Sequence, residues 1–175
     1  MSNLYIKTID TFKLTLNFNE IGSNLEDMLR DVLCDHIGNK CSKHGYIKSD
    51  SIKILNYSSG ILKSESMVDF FVMSEFNSCH PSEGLRIECI VENITKAGIR
   101  ANVEGEPHII VFIARDHNFA NEKFVKIEEG QKIIVDIIGT KYELNDENIY
   151  IIGEFINSLN KKTKMVLKNN WINKL

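Results

Sequence analysis

The sequence predicts an α+β N-terminal module, a small antiparallel sheet with one helix, followed by an all-β barrel. Apolar residues alternate at strand spacing up to Phe18 and then recur at helical spacing up to Ile37. Short apolar runs between Pro81 and Gly153 are separated by turn signals, as in a small closed barrel. A chain of 175 residues with 43% hydrophobic content is longer than one small barrel needs and suits two compact modules. The expected divisions are residues 1–80, residues 81–157 and a basic C-terminal extension, residues 158–175.

Between Leu4 and Phe18 the residues Phe12, Leu14, Leu16 and Phe18 fall on one face, with Lys13, Thr15 and Asn17 on the other, which is a half-buried strand. A helix follows. Ser23 and Glu26 have capping-box spacing, and Leu25, Met28, Leu29, Val32, Leu33 and Ile37 form its apolar stripe. Gly38 and Asn39 supply the stop. The next strand ends at the Ser58-Ser59-Gly60 turn, and another carries Met67, Val68, Phe70, Phe71, Val72, Met73 and Phe76, the densest apolar run in the chain. That run is read either as a central strand or as a docking surface, and opposite faces of one strand allow both.

The barrel strands are read in PSEGLRIECIVENITKAGIRANV, HIIVFIARDH, EEGQKIIVDII and NIYIIGEF, with Gly84, Gly98, Gly105, Gly130 and Gly139 at edges or bends. Five such strands in so short a span point to an OB-fold barrel.

The order of these pieces resembles the stalk subunit of multisubunit DNA-directed RNA polymerases, the family of the seventh subunit of eukaryotic polymerase II and its archaeal counterpart. The resemblance is carried by GYI at Gly45 to Ile47, SSG at Ser58 to Gly60 and FNSCHPSEG at Phe76 to Gly84, leading straight into the barrel, and it covers residues 4–156. The spelling ECIVENITKAGIRA followed by VFIARDH is similar to the forms of this stalk protein that large double-stranded DNA viruses encode.

The resemblance implies a non-catalytic subunit that docks on the large polymerase subunits through its N-terminal module, with Gly45, Tyr46, Ile47, Gly60, Phe70 and Phe76 as docking candidates. It implies a helical second stalk subunit as partner and a barrel facing nascent single-stranded RNA. The expected location is intracellular, in the nucleus or a viral factory in the cytoplasm, and in the virion if the source is viral.

OB barrels bind single strands by stacking bases on aromatic side chains and tracking phosphates with Lys and Arg. The RNA-contact candidates are therefore Lys96, Arg100, Phe112, Arg115 and His117. Phe112 stands among Ile109, Ile110, Val111 and Ile113, which favours burial over stacking. Ile99 or Ala101 occupies the position where the family resemblance implies another stacking aromatic. Arg100 and Arg115 read equally as solvated surface residues.

Charge is uneven: residues 81–156 carry 8 basic and 14 acidic groups, whereas residues 157–175 carry five lysines and no acid. An acidic barrel predicts weak RNA binding. The tail TKMVLKNNW reads either as a final strand that buries Trp171 or as a basic extension that contacts phosphate or an acidic partner.

Enzyme constellations are missing from the sequence: it contains no G-x-x-x-x-G-K-[ST], no H-E-x-x-H and no G-x-S-x-G. Asp116 and His117 are neighbours on an extended segment and point to opposite faces, so they do not make an acid/base pair. No cofactor is expected. Cys34, Cys41, Cys79 and Cys89 have no CxxC pairing and read as reduced thiols, although Cys34, His36, Cys41, His44, Cys79 and His80 are also the soft ligands a zinc site would use. No apolar run reaches a membrane span, and the N-terminus lacks the order of a signal peptide.

Overall fold

The computed structural model describes residues 4–118 and 121–158. The expected basic tail, including Trp171, lies outside the described residues from position 159 onward. Two compact units are present: residues 4–80 together with 143–147, and residues 81–142 together with 148–158.

The first unit is a six-stranded antiparallel sheet with a helix on one face. Its strands are β1 (Tyr5–Asn17), β2 (Lys40–Ser42), β3 (Gly45–Ile47), β4 (Lys53–Tyr57), β5 (Ile61–Ser64) and β6 (Met67–Cys79), and its helix is α1 (Leu25–Ile37). β6 is the spine. One edge pairs with β1 along its whole length, from Tyr5 opposite Cys79 to Asn17 opposite Met67. The other edge is shared by β3, β4 and β5 in turn.

Alternation along β6 sends Val68, Phe70, Val72 and Phe76 inward, where they meet Leu14 and Leu16 of β1, Leu29 and Leu33 of α1, and Ile47 and Ile52. At roughly 1.5–3 kcal/mol per fully buried large apolar side chain, this cluster is what holds the helix to the sheet.

Two local expectations need correction. The N-cap of α1 is Asn24, without a side-chain cap bond, and the Ser23 hydroxyl is spent on the Asn24 side chain at 3.4 Å. The Ser23–Glu26 capping box is therefore not formed. Phe18 leaves the inner face because β1 ends at Asn17 and the chain turns into a 3-10 turn there; its side chain is 59% exposed. The helix stops as expected, with Asn39 in the left-handed region at φ 54°. The β2–β3 hairpin and β5 are additional to the strand, helix, strand, strand order read from the sequence.

The second unit is a closed five-stranded barrel of β7 (Arg86–Ile94), β8 (Gly98–Val103), β9 (Glu106–Ala114), β10 (Lys132–Lys141) and β11 (Ile149–Ser158). Around the barrel the order is β7, β8, β9, β11, β10 and back to β7. β9 and β11 are parallel; the other pairs are antiparallel. Inward positions are Ile87, Cys89, Val91, Ile99, Ala101, Ile109, Val111, Ile113, Ile133, Val135, Ile137, Ile149, Ile151 and Phe155, all buried. Gly153 stands among them because a Cβ there would overlap the Val135 side chain. A short helix, α2 (Glu122–Val125), packs Phe124 on Phe155 with ring centroids 5.8 Å apart.

Candidate functional site

On the barrel, β8 and β9 carry the outward residues of interest. Arg100 lies opposite Phe112, and Phe112 lies opposite Ile152 of β11, so these three form one row across three strands. The adjacent row runs Asn102, Ile110, Tyr150 and Lys141. Phe112 is 41% exposed and Tyr150 is 48% exposed, while the flanking Val111, Ile113, Ile149 and Ile151 are buried.

The burial expected of Phe112 from its apolar neighbours is thus corrected. In a closed barrel strict alternation decides the face, and Phe112 falls on the outside. Ile99 and Ala101 point inward and are buried, so neither offers a stacking surface. Tyr150 and Ile152 are additional to the sequence candidates. Their outward alternation is visible in NIYIIGEF, but their place beside Phe112 depends on the parallel β9–β11 pairing, which the sequence does not print.

The basic candidates are less uniform. Arg100 is exposed but its Nε donates to Glu92 at 2.9 Å. Arg115 donates through Nη2 to the Thr95 carbonyl at 3.0 Å, and its backbone N–H donates to the Ala97 carbonyl, so it braces the β7–β8 turn. Lys96 sits exposed on that same turn. His117 is exposed and lies away from the row, lining an open cavity of about 550 Å³ with Asn118, Asn121, Glu122, Lys123, Glu154 and Phe155. The structure thus brings Arg100 and Phe112 together and adds Tyr150, Ile152 and Lys141, while His117 stands apart.

In the N-terminal unit the docking candidates divide by burial. Tyr46, Ile47, Phe70 and Phe76 lie in the interior, and Gly60 is exposed. Gly45 is buried and adopts φ +94°, and a Cβ on it would overlap the Cys79 carbonyl. These residues, Gly60 excepted, build the module; its outward sheet face carries different ones. Opposite α1 the sheet exposes Ile9, Ile61, Phe71 and Met73, with Phe71 43% exposed.

Ion pairs rim this apolar face: Lys13 bonds Asp69 at 2.8 Å and Lys7 bonds Glu75 at 3.0 Å. Lys13 and the Thr15 hydroxyl, at 2.7 Å, hold the Asp69 carboxyl below the usual range. On the other face Lys43 at 2.7 Å, His44 at 2.9 Å and the Thr11 N–H bring the Asp10 carboxyl down to about 2.

Cys41 and Cys89 are poor nucleophiles where they sit. Burial pushes the Cys89 thiol up to about 12, and burial with the nearby Asp146 charge pushes Cys41 up to about 11, so both stay protonated at neutral pH. The Cys34 thiol donates to the Ser49 carbonyl at 3.8 Å. Among the described residues no three His, Cys, Asp or Glu side chains converge as a metal-binding group. No helix among them is long and apolar enough to cross a membrane.

No protein-family model matches the chain. It is similar to a protein of Acanthamoeba polyphaga mimivirus named "Putative DNA-directed RNA polymerase subunit L376". The two are 27% identical over 170 residues, an alignment that spans 88% of this chain and 83% of the viral protein.

Proposed function

We propose that this chain is a non-catalytic subunit of a virus-encoded DNA-directed RNA polymerase, in the position of the stalk. The observation that carries this reading is the similarity to the mimivirus protein, because it runs through both units and not through the barrel alone. The barrel supports it. Numbered in chain order, its strands follow one another around the barrel as first, second, third, fifth and fourth, a five-stranded Greek-key arrangement of OB type.

OB barrels take oligonucleotides on the face of their second and third strands, here β8 and β9. Arg100 and Phe112 lie on that face, and Tyr150 widens it. In this reading the nascent strand stacks on Phe112 and Tyr150, while Lys96, Lys141 and Arg100 meet phosphates once Arg100 leaves Glu92. Arg115 acts by holding the turn that presents Lys96, and His117 lies off the path.

The N-terminal unit docks on the large polymerase subunits. Exposed apolar sheet area of this kind is costly to leave in water, so the face of Ile9, Ile61, Phe71 and Met73 is assigned to the polymerase core, with Tyr46, Ile47, Phe70 and Phe76 shaping it from beneath. A helical second subunit shares the stalk, and the complex works in the nucleus or a viral factory and is carried in the virion.

Size-exclusion chromatography with polymerase core from the same source tests the docking. The wild-type chain co-elutes with the core; Phe71→Glu combined with Met73→Glu elutes alone with an unchanged melting temperature. Co-elution of the double variant would move the interface elsewhere, and failure of the wild type to co-elute would remove the polymerase reading.

A further inference from the structure

A row across the outer surface of the barrel sets one amide between two isoleucines. It runs Lys132, Ile90, Asn102, Ile110 and Tyr150, each residue opposite the next on β10, β7, β8, β9 and β11. Ile90, Asn102 and Ile110 are half-buried there. The Asn102 amide oxygen, Oδ1, is shut off from solvent and accepts no hydrogen bond among the described residues. Lys132, at the end of the row, bonds Glu104 instead.

Two features make this position costly. A carbonyl oxygen that leaves water without gaining a donor opposes folding, and asparagine is a poor strand former. Neither packing nor strand propensity therefore accounts for an amide at the middle of β8, on the face where OB barrels take oligonucleotides.

We propose, on the footing of the RNA path described above, that Asn102 is the base-reading residue of the barrel and selects adenine in single-stranded RNA. The other groups assigned to the path are blind to sequence. Phe112 and Tyr150 offer ring faces on which any base stacks, and Lys96, Lys141 and Arg100 meet phosphates. Asn102 lies beside the rings: Phe112 is two residues beyond Ile110 and so is its diagonal neighbour on β9, about 7–8 Å away. A base stacked on Phe112 has an edge within reach of the amide.

Asparagine pairs two-pronged with adenine, Oδ1 accepting from the 6-amino group and Nδ2 donating to N7. Half a turn about χ2 exchanges the places of Oδ1 and Nδ2 and brings the orphaned oxygen outward without moving the strand. The adenine amino group then supplies the donor that the fold does not. Guanine presents two acceptors, O6 and N7, on that edge, uracil has no amino group, and cytosine has an amino group but no N7.

Fluorescence anisotropy of the full-length chain with short labelled oligo(A), oligo(C) and oligo(U) RNA at low salt tests this. The wild type is expected to bind oligo(A) at least about five-fold more tightly than the other two. Asn102→Ala is expected to cut that preference to about two-fold or less, with oligo(U) affinity unchanged and a melting temperature no lower than the wild type's. Asn102→Thr, which suits a strand and cannot pair two-pronged, gives the same loss of preference if the alanine variant folds poorly. Equal wild-type affinities, a preference for another base, or an adenine preference that survives in both variants would overturn the role of Asn102 and leave the RNA path standing. Variants that lose all three RNAs alike with a lowered melting temperature would make Asn102 a structural residue and overturn it too. Failure of the wild type to bind any of the RNAs would remove the path itself and this reading with it.

Discussion

At the scale of single residues, three positions carry separable consequences. Gly45 holds a φ that L residues rarely adopt and has the Cys79 carbonyl where a Cβ would go. Gly45→Ala is expected to cost about 1–3 kcal/mol or more, read as a lower melting temperature in a thermal scan. Asp10 is a pH-dependent tie. Its carboxyl is lowered from 3.8 to about 2 in the fold, so its stabilisation is complete above the unfolded value and is lost as pH falls from about 4 through about 2. Solvent screening keeps that contribution to about 1 kcal/mol, and Asp10→Asn should flatten this part of the acid limb in denaturant midpoints measured across that range. Phe112→Ala should weaken single-stranded RNA binding by about 1–3 kcal/mol in a titration while leaving the melting temperature nearly unchanged, since the ring is on the outside of the barrel. An unchanged affinity would take Phe112 out of the RNA path.

At the scale of elements, β6 shows how one strand serves two ends. Its inward residues Phe70, Val72 and Phe76 make the core, and its outward residues Phe71 and Met73 make the exposed face. Phe70→Glu would bury an unpaired charge and should unfold the module, whereas Phe71→Glu should leave it folded and impair docking; circular dichroism and co-elution separate the two. The apolar run from Met67 to Phe76 is legible in the sequence, and so is its double reading, because neither face breaks the run with a regular polar alternation. The assignment of each residue to a face is not, since it needs the register with β1, which pairs residues from 50 (Asn17 with Met67) to 74 (Tyr5 with Cys79) positions apart. The barrel behaves likewise. Its strands are legible from alternation and turn glycines, but Phe112 reads as core because its neighbours on both sides are apolar, and Tyr150 gives no signal of its own because β9 and β11 meet only through a parallel pairing of distant segments. The helix is readable from its stripe, while its cap slips by one residue because Ser23 and Asn24 are both good capping types.

At the scale of the whole molecule, no three His, Cys, Asp or Glu side chains converge as a metal-binding group among the described residues. The Cys41 and Cys89 thiols are held protonated, and the lowered Asp10 and Asp69 carboxylates are engaged by lysines in structural pairs. The two-module order is legible from composition and periodicity. The inclusion of residues 143–147 with the first unit is not, because it rests on backbone bonds between Cys41 and the Asn145–Asp146 segment, at 2.7 and 2.8 Å, that no local pattern announces.

Membership of an RNA polymerase is best tested by affinity purification of the tagged full-length chain from its native cells at moderate salt, with mass spectrometry of the co-purifying proteins. Recovery of the two large polymerase subunits in near-equal amounts with the tagged chain is the expected result. Recovery of ribosomal or RNA-decay proteins without those subunits would contradict it and make the chain a free-standing RNA-binding adaptor.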